Sequence, residues 1–295
     1  MKKQFKQKKS VHTERVILYH ADCPDGFAAA WAAWKKFKTR ALYIPVPPSN
    51  RELPAAARGK AVYTVDCSFP KDVIKDIKKD VASLTVIDHH ITNKEAAELA
   101  DEYAYDVLHS GAVLSWKYFH PKEKVPKLLQ YIEDSDLWKF KLPRTKKIMA
   151  SLQLYDAQFA VWDKLVRDVE AGEEKKYLDE GSILLRQMDR RIGRMAASAE
   201  DVNFEGYVCK MVNTNIYVSE LGHTLVKHGS PVAIMWSRRE HKIIVSLRSD
   251  GSVNVAELAE RYGGGGHKSA AGFSFEVKDF LTFKKGRRKK NSPKV

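Results

Sequence analysis

Three short apolar runs in the N-terminal part of the chain each stop at a carboxylate or an imidazole, and this repeated form constrains the fold most. Val86-Ile87 gives way to Asp88-His89-His90. Arg15-Val16-Ile17-Leu18-Tyr19 ends at His20, with Asp22 and Asp25 just beyond. Ala61-Val62-Tyr63-Thr64-Val65 ends at Asp66. Short apolar runs bounded by turn signals read as buried strands. Polar groups crowded at the end of a buried strand need hydrogen-bond partners or a metal. Three such ends predict one site built from three strands.

The segments between the runs alternate in type. Cys23-Pro24-Asp25-Gly26 leads into an alanine-rich helix over 27–38, whose Trp31 and Trp34, spaced i,i+3, read as core packing. A strand follows over 42–46, closed by Pro47-Pro48, and another over 61–65. Then come a charged helix over 71–79, with Val73, Ile74 and Ile77 inward, and a strand over 84–87. This alternation predicts a parallel sheet with helices on both faces. Ligands bind such sheets outside the carboxyl ends of the strands, where the acidic and imidazole groups fall.

Helices are expected over 111–119 and 125–132. The second carries Val125, Leu128, Leu129 and Ile132 on one face and runs into Glu133-Asp134-Ser135-Asp136. Acids at a helix C-terminus oppose its dipole, so cationic groups are expected nearby. Residues 156–205, charged and interrupted by Gly172 and Gly181, read as a helical connector. Strands are then expected over 207–212, 232–236, 242–248 and 272–276, and helices over 220–227 and 255–262. The expected organisation is a tail 1–13, an α/β domain 14–155, the connector 156–205, a smaller α/β domain 206–280 and a tail 281–295.

The net charge of +14 is concentrated in the tails. Residues 1–9 hold five lysines and residues 284–295 seven basic residues, with no acid in either. Without these twelve, 39 basic residues face 37 acidic ones, so the folded part is nearly neutral. Basic tails raise encounter rates with polyanions, and they also serve as solubilising, disordered termini. No apolar stretch approaches the roughly 18–20 residues of a membrane helix, and no apolar segment follows the N-terminal lysines as in a signal peptide. Three cysteines without clustered spacing (Cys23, Cys67 and Cys209) suggest reduced thiols and a cytoplasmic setting, or a nuclear one in a eukaryote.

The candidate ligands are His20, Asp22, Asp25, Asp66, Asp88, His89, His90, Asp134 and Asp136. Imidazole and carboxylate without thiolate suit Mn²⁺, with Mg²⁺ or Co²⁺ as alternatives. The set is too large for one ion. Two ions about 3.5–4 Å apart would share a carboxylate and clamp a displacement at phosphorus. Asp66, alone at its strand end, is the natural bridge.

His20-Ala-Asp22-Cys-Pro-Asp25-Gly26, the isolated Asp66, Asp88-His89-His90 and Asp134-Ser-Asp136 resemble the DHH phosphoesterase superfamily. Val245-Ser246-Leu247-Arg248-Ser249, through Asn254 to the four glycines 263–266, His267 and Gly272, is similar to its DHHA1 companion domain. The resemblance covers about residues 15–277 and is nearest to the nano-RNase B-type oligoribonucleases. It implies an N-terminal parallel-sheet DHH domain and a smaller C-terminal α/β DHHA1 domain joined by a helical connector.

By the same resemblance, His20 and Asp22 bind a first ion, Asp66 bridges, and Asp25, His89 and Asp136 complete a second site. His90 faces the scissile phosphate and Asp88 orients it. Arg248, Gly264, Gly265, Gly266 and His267 hold the substrate's far end. Many relatives have His-x-x-x-Asp-x-Asp in the first motif. Here the order is His-x-Asp-x-x-Asp, with Pro24 at the first Asp position, and this puts Asp22 in question. Asp134 and Asp136 both remain open as ligands, with Asp136 favoured.

The expected function is Mn²⁺-dependent, two-metal hydrolysis of short RNA oligonucleotides, an oligoribonuclease or exonuclease activity. The alternatives are a cyclic-dinucleotide phosphodiesterase, a 3′-phosphoadenosine-5′-phosphate phosphatase and, in another class, a non-catalytic nucleic-acid-binding protein. Expected partners are short single-stranded RNA or a nucleotide, longer nucleic acid through the tails, and a second copy in a homodimer, with no membrane.

Overall fold

The structure, a computed structural model, describes residues 14–47, 50–280 and 283. The tails expected at 1–13 and 281–295 lie outside the described residues, apart from Phe283. The chain divides into two compact units, 1–185 and 186–295.

The first unit holds β1 (Arg15–His20), α1 (Pro24–Phe37), β2 (Leu42–Val46), β3 (Ala61–Val65), α2 (Lys71–Lys79), β4 (Ser83–Asp88), α3 (Lys94–Ala97), β5 (Glu102–Tyr105), α4 (Gly111–Phe119), α5 (Lys127–Asp136), α6 (Thr145–Leu152) and α7 (Phe159–Ala171). The helix α8 (Lys175–Ala197) starts in this unit and ends in the second. The five strands form one wholly parallel sheet, in the order β2-β1-β3-β4-β5. Pro45, which cannot donate to a ladder, falls on the edge strand β2.

Side chains alternate across this sheet. Val16, Leu18, Val62, Leu84 and Val86 pack with Ile74, Ile77 and Ala96 of α2 and α3. Ile17, Val65 and Ile87 pack on the other face with Ala29 and Ala33 of α1 and Leu114 and Phe119 of α4. Helices thus cover both faces, as expected. Two buried faces explain why the strands read as unbroken apolar runs.

The stretch 156–205, read from its charge as a connector, is divided between the units. Trp162, Leu165, Val166 and Val169 of α7 join Phe27, Trp31, Leu128, Leu129 and Ile132 in the core of the first unit. Their spacing is a helical stripe, which the charged residues around it mask. Gly181 is no interruption. It lies inside α8, where a Cβ would stand 1.9 Å from the Lys147 carbonyl oxygen, so the helix crosses α6 closely there.

The second unit holds β6 (Glu200–Phe204), β7 (Tyr207–Asn213), α9 (Val218–Lys227), β8 (Ala233–Arg239), β9 (Lys242–Arg248), α10 (Val255–Glu260), β10 (Gly265–His267) and β11 (Ala270–Glu276). Its six-stranded sheet runs β10-β11-β9-β8-β7-β6, with only β7–β8 parallel. Val255, Leu258 and Ala259 of α10 pack on one set of strand residues, and Leu221 and Leu225 of α9 on another.

If α7 belongs to the core, Trp162→Ala destabilises the first unit by about 3–5 kcal/mol, measured by urea unfolding. A solvated connector would show almost no change.

Candidate metal centre

The parallel order brings the ends of β1, β3 and β4 to one edge of the sheet. Asp66 follows β3 with its backbone in the left-handed region (φ 57°), and its amide donates to the Ile87 carbonyl at 2.9 Å. The carboxylate is 1% exposed. Its Oδ2 lies 3.2 Å from His20 Nδ1, and its Oδ1 lies 3.2 Å from His89 Nε2. His89 Nε2 is also 3.6 Å from Asp136 Oδ2 and 3.9 Å from Asp25 Oδ2. Asp66 thus stands between two imidazoles, and His89 between three carboxylates.

A supporting layer fixes these groups. Asp25 accepts from the amides of Gly111 (2.7 Å) and Ala112 (3.1 Å) at the start of α4. Gly111 is required there, because a Cβ would stand 2.5 Å from Asp66 Cβ. Asp88, fully buried, accepts on Oδ1 from the amides of His89 and His90 and pairs with His90 Nδ1 at 2.7 Å. Its Oδ2 accepts from Asn93 Nδ2 at 2.6 Å. Asp88 therefore orients His90, whose side chain is 38% exposed.

The acids ending α5 have separate partners. Glu133 accepts from Ser110 N (3.0 Å) and pairs with His109 Nδ1 (2.9 Å), and His109 Nε2 in turn meets Lys117 Nζ at 2.7 Å. Asp134 accepts from the amides of Lys141 and Leu142 and from Thr145 Oγ1. Asp136 alone joins the cluster. The expected offset to the helix dipole comes from His109, Lys117, His89 and these donors.

Electrostatics separate the carboxyls. Burial pushes Asp66 up, but the flanking imidazoles of His20 and His89 outweigh it and hold the group at about 2. Burial, with Asp66 and Asp136 adjacent, raises Asp25 well above the carboxylate range, and burial likewise raises Asp136. Its hydrogen bond to Asp88 raises His90 to about 9. For His89, burial lowers the value, but Asp66 and Asp136 outweigh it and raise the group overall.

This surplus of negative charge fits a cation. Asp66 Oδ1 is buried with the His89 imidazole 3.2 Å away but no well-formed hydrogen bond, and a metal would satisfy it. Three sets place their ligand atoms within 4.8 Å of one another: Asp66, Asp88, His89 and His90; His20, Cys23 and Asp66; and Asp25, His89 and Asp136. Nitrogen and oxygen donors, with one sulfur, at this spacing suit a divalent ion.

The structure thus brings His20, Asp25, Asp66, Asp88, His89, His90 and Asp136 together. Asp22 is exposed in a left-handed turn (φ 54°) and stands in none of the three sets. Cys23 takes a place beside His20 instead, which the unclustered spacing of the cysteines did not signal. Asn93 and Glu133 were also missed. Glu133 had a signal, since His109, the outlying histidine closest to the motif, needed a partner.

In the second unit, the glycine run is not an open loop. The amides of Gly263 and Gly264 cap the end of α10 by donating to the Glu260 and Ala259 carbonyls. Gly265–His267 is then a strand antiparallel to β11. A Cβ on Gly264 or Gly266 would collide with the backbone of that strand. Gly264 and Gly266 are therefore set by close packing, whereas Gly263, in the left-handed region (φ 76°), and Gly265 have open space beside them. Arg248 donates to the Leu247 carbonyl and to Ser219 Oγ, and has no ion pair among the described residues. His267 is exposed.

Asp134→Ala removes three hydrogen bonds to a charged acceptor, each of the order of 1.5–3 kcal/mol at most. A loss of about 3 kcal/mol in urea unfolding is expected. Burial opposes the Asp134 charge, but Thr145 and the two amides hold its pKa below the usual range. The stability it contributes is therefore present above the unfolded-state value of about 3.9 and is lost as pH falls through the lower folded-state value. Acid unfolding of Asp134→Asn should lack this component.

Residues 207–285 match the DHHA1 domain family. An uncharacterised protein of Acanthamoeba polyphaga mimivirus is 28% identical over 298 residues, covering 92% of this chain and 70% of that protein. A pGpG-specific phosphodiesterase from Vibrio cholerae superposes with a TM-score of 0.53 at 13% identity, over 92% of this chain and 96% of that one. RecJ from Thermus thermophilus, solved with Mn²⁺, gives 0.53 at 15% identity over 92% of this chain and 51% of RecJ. An exopolyphosphatase-related protein from Bacteroides fragilis gives 0.51 at 12% identity, over 93% and 91%. With Asp-His-His at the end of β4 in a parallel-sheet unit and a second unit that matches the DHHA1 family, the chain has the α/β fold of these solved structures.

Proposed function

We propose that this chain is a metal-dependent phosphodiesterase that hydrolyses short RNA oligonucleotides. The observation that carries the reading is the meeting of His20, Asp25, Asp66, His89 and Asp136 at the carboxyl edge of a parallel sheet. The second unit's DHHA1 match supports a nucleotide substrate, as does a fold relative named as a pGpG-specific phosphodiesterase.

Asp66 would be shared by two divalent ions, with His20 on one side and Asp25, His89 and Asp136 on the other. When bound, such ions supply positive charge to a displacement at phosphorus and raise the acidity of water. Mn²⁺ is our choice, in keeping with the RecJ relative. Asp88 holds His90 by Nδ1, so the His90 proton available to substrate is on Nε2. The hydrogen bond to Asp88 raises the His90 pKa, which favours the charged imidazole that would pair with a phosphate oxygen. Arg248 offers a fork to a second phosphate, and Gly265 and His267 contact the nucleotide. The tails attract longer RNA.

The test is a substrate series with Mn²⁺: dinucleotide, RNA five-mer, cyclic dinucleotide, 3′-phosphoadenosine-5′-phosphate and pyrophosphate. Dinucleotide and five-mer should turn over fastest, and preference for any of the other three would overturn the reading. His90→Ala should lower kcat on the dinucleotide by about 10²–10⁴-fold with unchanged thermal stability. Deleting 1–9 and 284–295 should weaken binding of long RNA and flatten its salt dependence, with dinucleotide turnover retained.

A further inference from the structure

The metal set that contains His20 and Asp66 has a sulfur in it. Cys23 Sγ lies within 4.8 Å of the ligand atoms of both residues. The local chain fixes it there. Cys23 is the N-cap of α1 in an extended conformation (φ −124°, ψ 128°), and its carbonyl accepts from the Phe27 amide at 2.9 Å. Pro24 at the first helical position removes the remaining freedom of the Cys-Pro step. The other two thiols are core residues, with Cys67 near the Leu18 carbonyl and Cys209 near that of Tyr207. Only Cys23 is partly exposed.

A cysteine beside two polar groups is not in itself a site. The second observation is Asp66 in the same set, 1% exposed, whose Oδ1 has the His89 imidazole 3.2 Å away but no well-formed hydrogen bond. A buried carboxylate with an unsatisfied oxygen calls for a cation, and this carboxylate has a ligand atom within 4.8 Å of the thiol.

We propose that Cys23 Sγ is a metal ligand, and that it turns the His20–Asp66 position toward thiophilic borderline ions, Zn²⁺ or Co²⁺, and away from Mg²⁺. The inference rests on reading the cluster as a metal centre. The Mn²⁺ expectation assumed donors of nitrogen and oxygen only, and one sulfur changes the set. Thiolate selects softer ions, whereas Mg²⁺ takes oxygen and keeps its water. On coordination the thiol gives its proton to solvent, so binding at this position releases a proton.

The test is Co²⁺ titration of the metal-free full chain, followed by absorption spectroscopy. The parent protein should show a near-ultraviolet thiolate-to-cobalt charge-transfer band together with the visible d–d bands. Cys23→Ser and Cys23→Asp should lose the first and keep the second. Zn²⁺ affinity should fall roughly tenfold or more in Cys23→Ser, at least the loss seen when a group supporting a ligand is removed. In Cys23→Asp, the ratio of Mg²⁺ to Zn²⁺ affinity should rise. A parent spectrum with d–d bands but no charge-transfer band would overturn this inference and leave the metal centre standing. So would a charge-transfer band that persists in Cys23→Ser. A parent that binds no Co²⁺ at all would remove both readings.

Discussion

The Asp66 carboxylate is the contact on which the rest of the site depends. It is buried where three chain segments converge, and its charge survives there because His20 and His89 flank its two oxygens. The left-handed backbone at Asp66, a conformation that costs a non-glycine residue about 1–3 kcal/mol, places that carboxylate between them. Gly111 lets α4 approach within a distance that any Cβ would forbid. That approach carries the first amides of α4 to Asp25. One carboxylate thus sets the spacing of β1, β4 and α4.

The carboxylates around it show how a chain keeps like charges together without a second shell of lysines. Asp25 and Asp136 are pushed toward the neutral form by burial and by Asp66, which eases the repulsion among the three carboxyls. A divalent cation reverses that balance by stabilising every ionised form at once. Asp88 is different. Its oxygens are saturated by two amides, His90 and Asn93, and it works through the imidazole it holds.

Much of the first unit was legible because both faces of its sheet are buried. Strands β1, β3 and β4 read as apolar runs with abrupt polar stops, and those stops are the site. What was hard to read had mixed causes. The strand β5 is the four-residue edge Glu-Tyr-Ala-Tyr, too short and polar to stand out. The α7 stripe of Trp162, Leu165, Val166 and Val169 is embedded among charges that suggest a solvated helix. The resemblance gave the glycine run to substrate binding, yet Gly264 and Gly266 are demanded by the neighbouring strand. Cys23 was passed over because thiol metal sites are expected as spaced pairs, whereas here the partners are an imidazole and a carboxylate from other positions.

Asp134 and Asp136 show why residue type alone could not assign the last ligand. Both are acids near the same helix end, and no rule of composition separates them. Geometry does, since two residues along an α-helix differ by about 200°. They must face opposite sides, so only one of them can reach the cluster at the strand ends. Asp134 faces the turn after the helix, where its carbonyl accepts from the amides of Lys139 and Phe140 and its carboxylate from those of Lys141 and Leu142. Those bonds hold Trp138 and Phe140 in left-handed conformations that bulky aromatic residues adopt only under constraint. With that turn held, α5 ends at Asp136 and its carboxylate is left to face His89. The two acids cannot exchange roles, because moving the ligand by two positions would remove the acceptor that ends the helix.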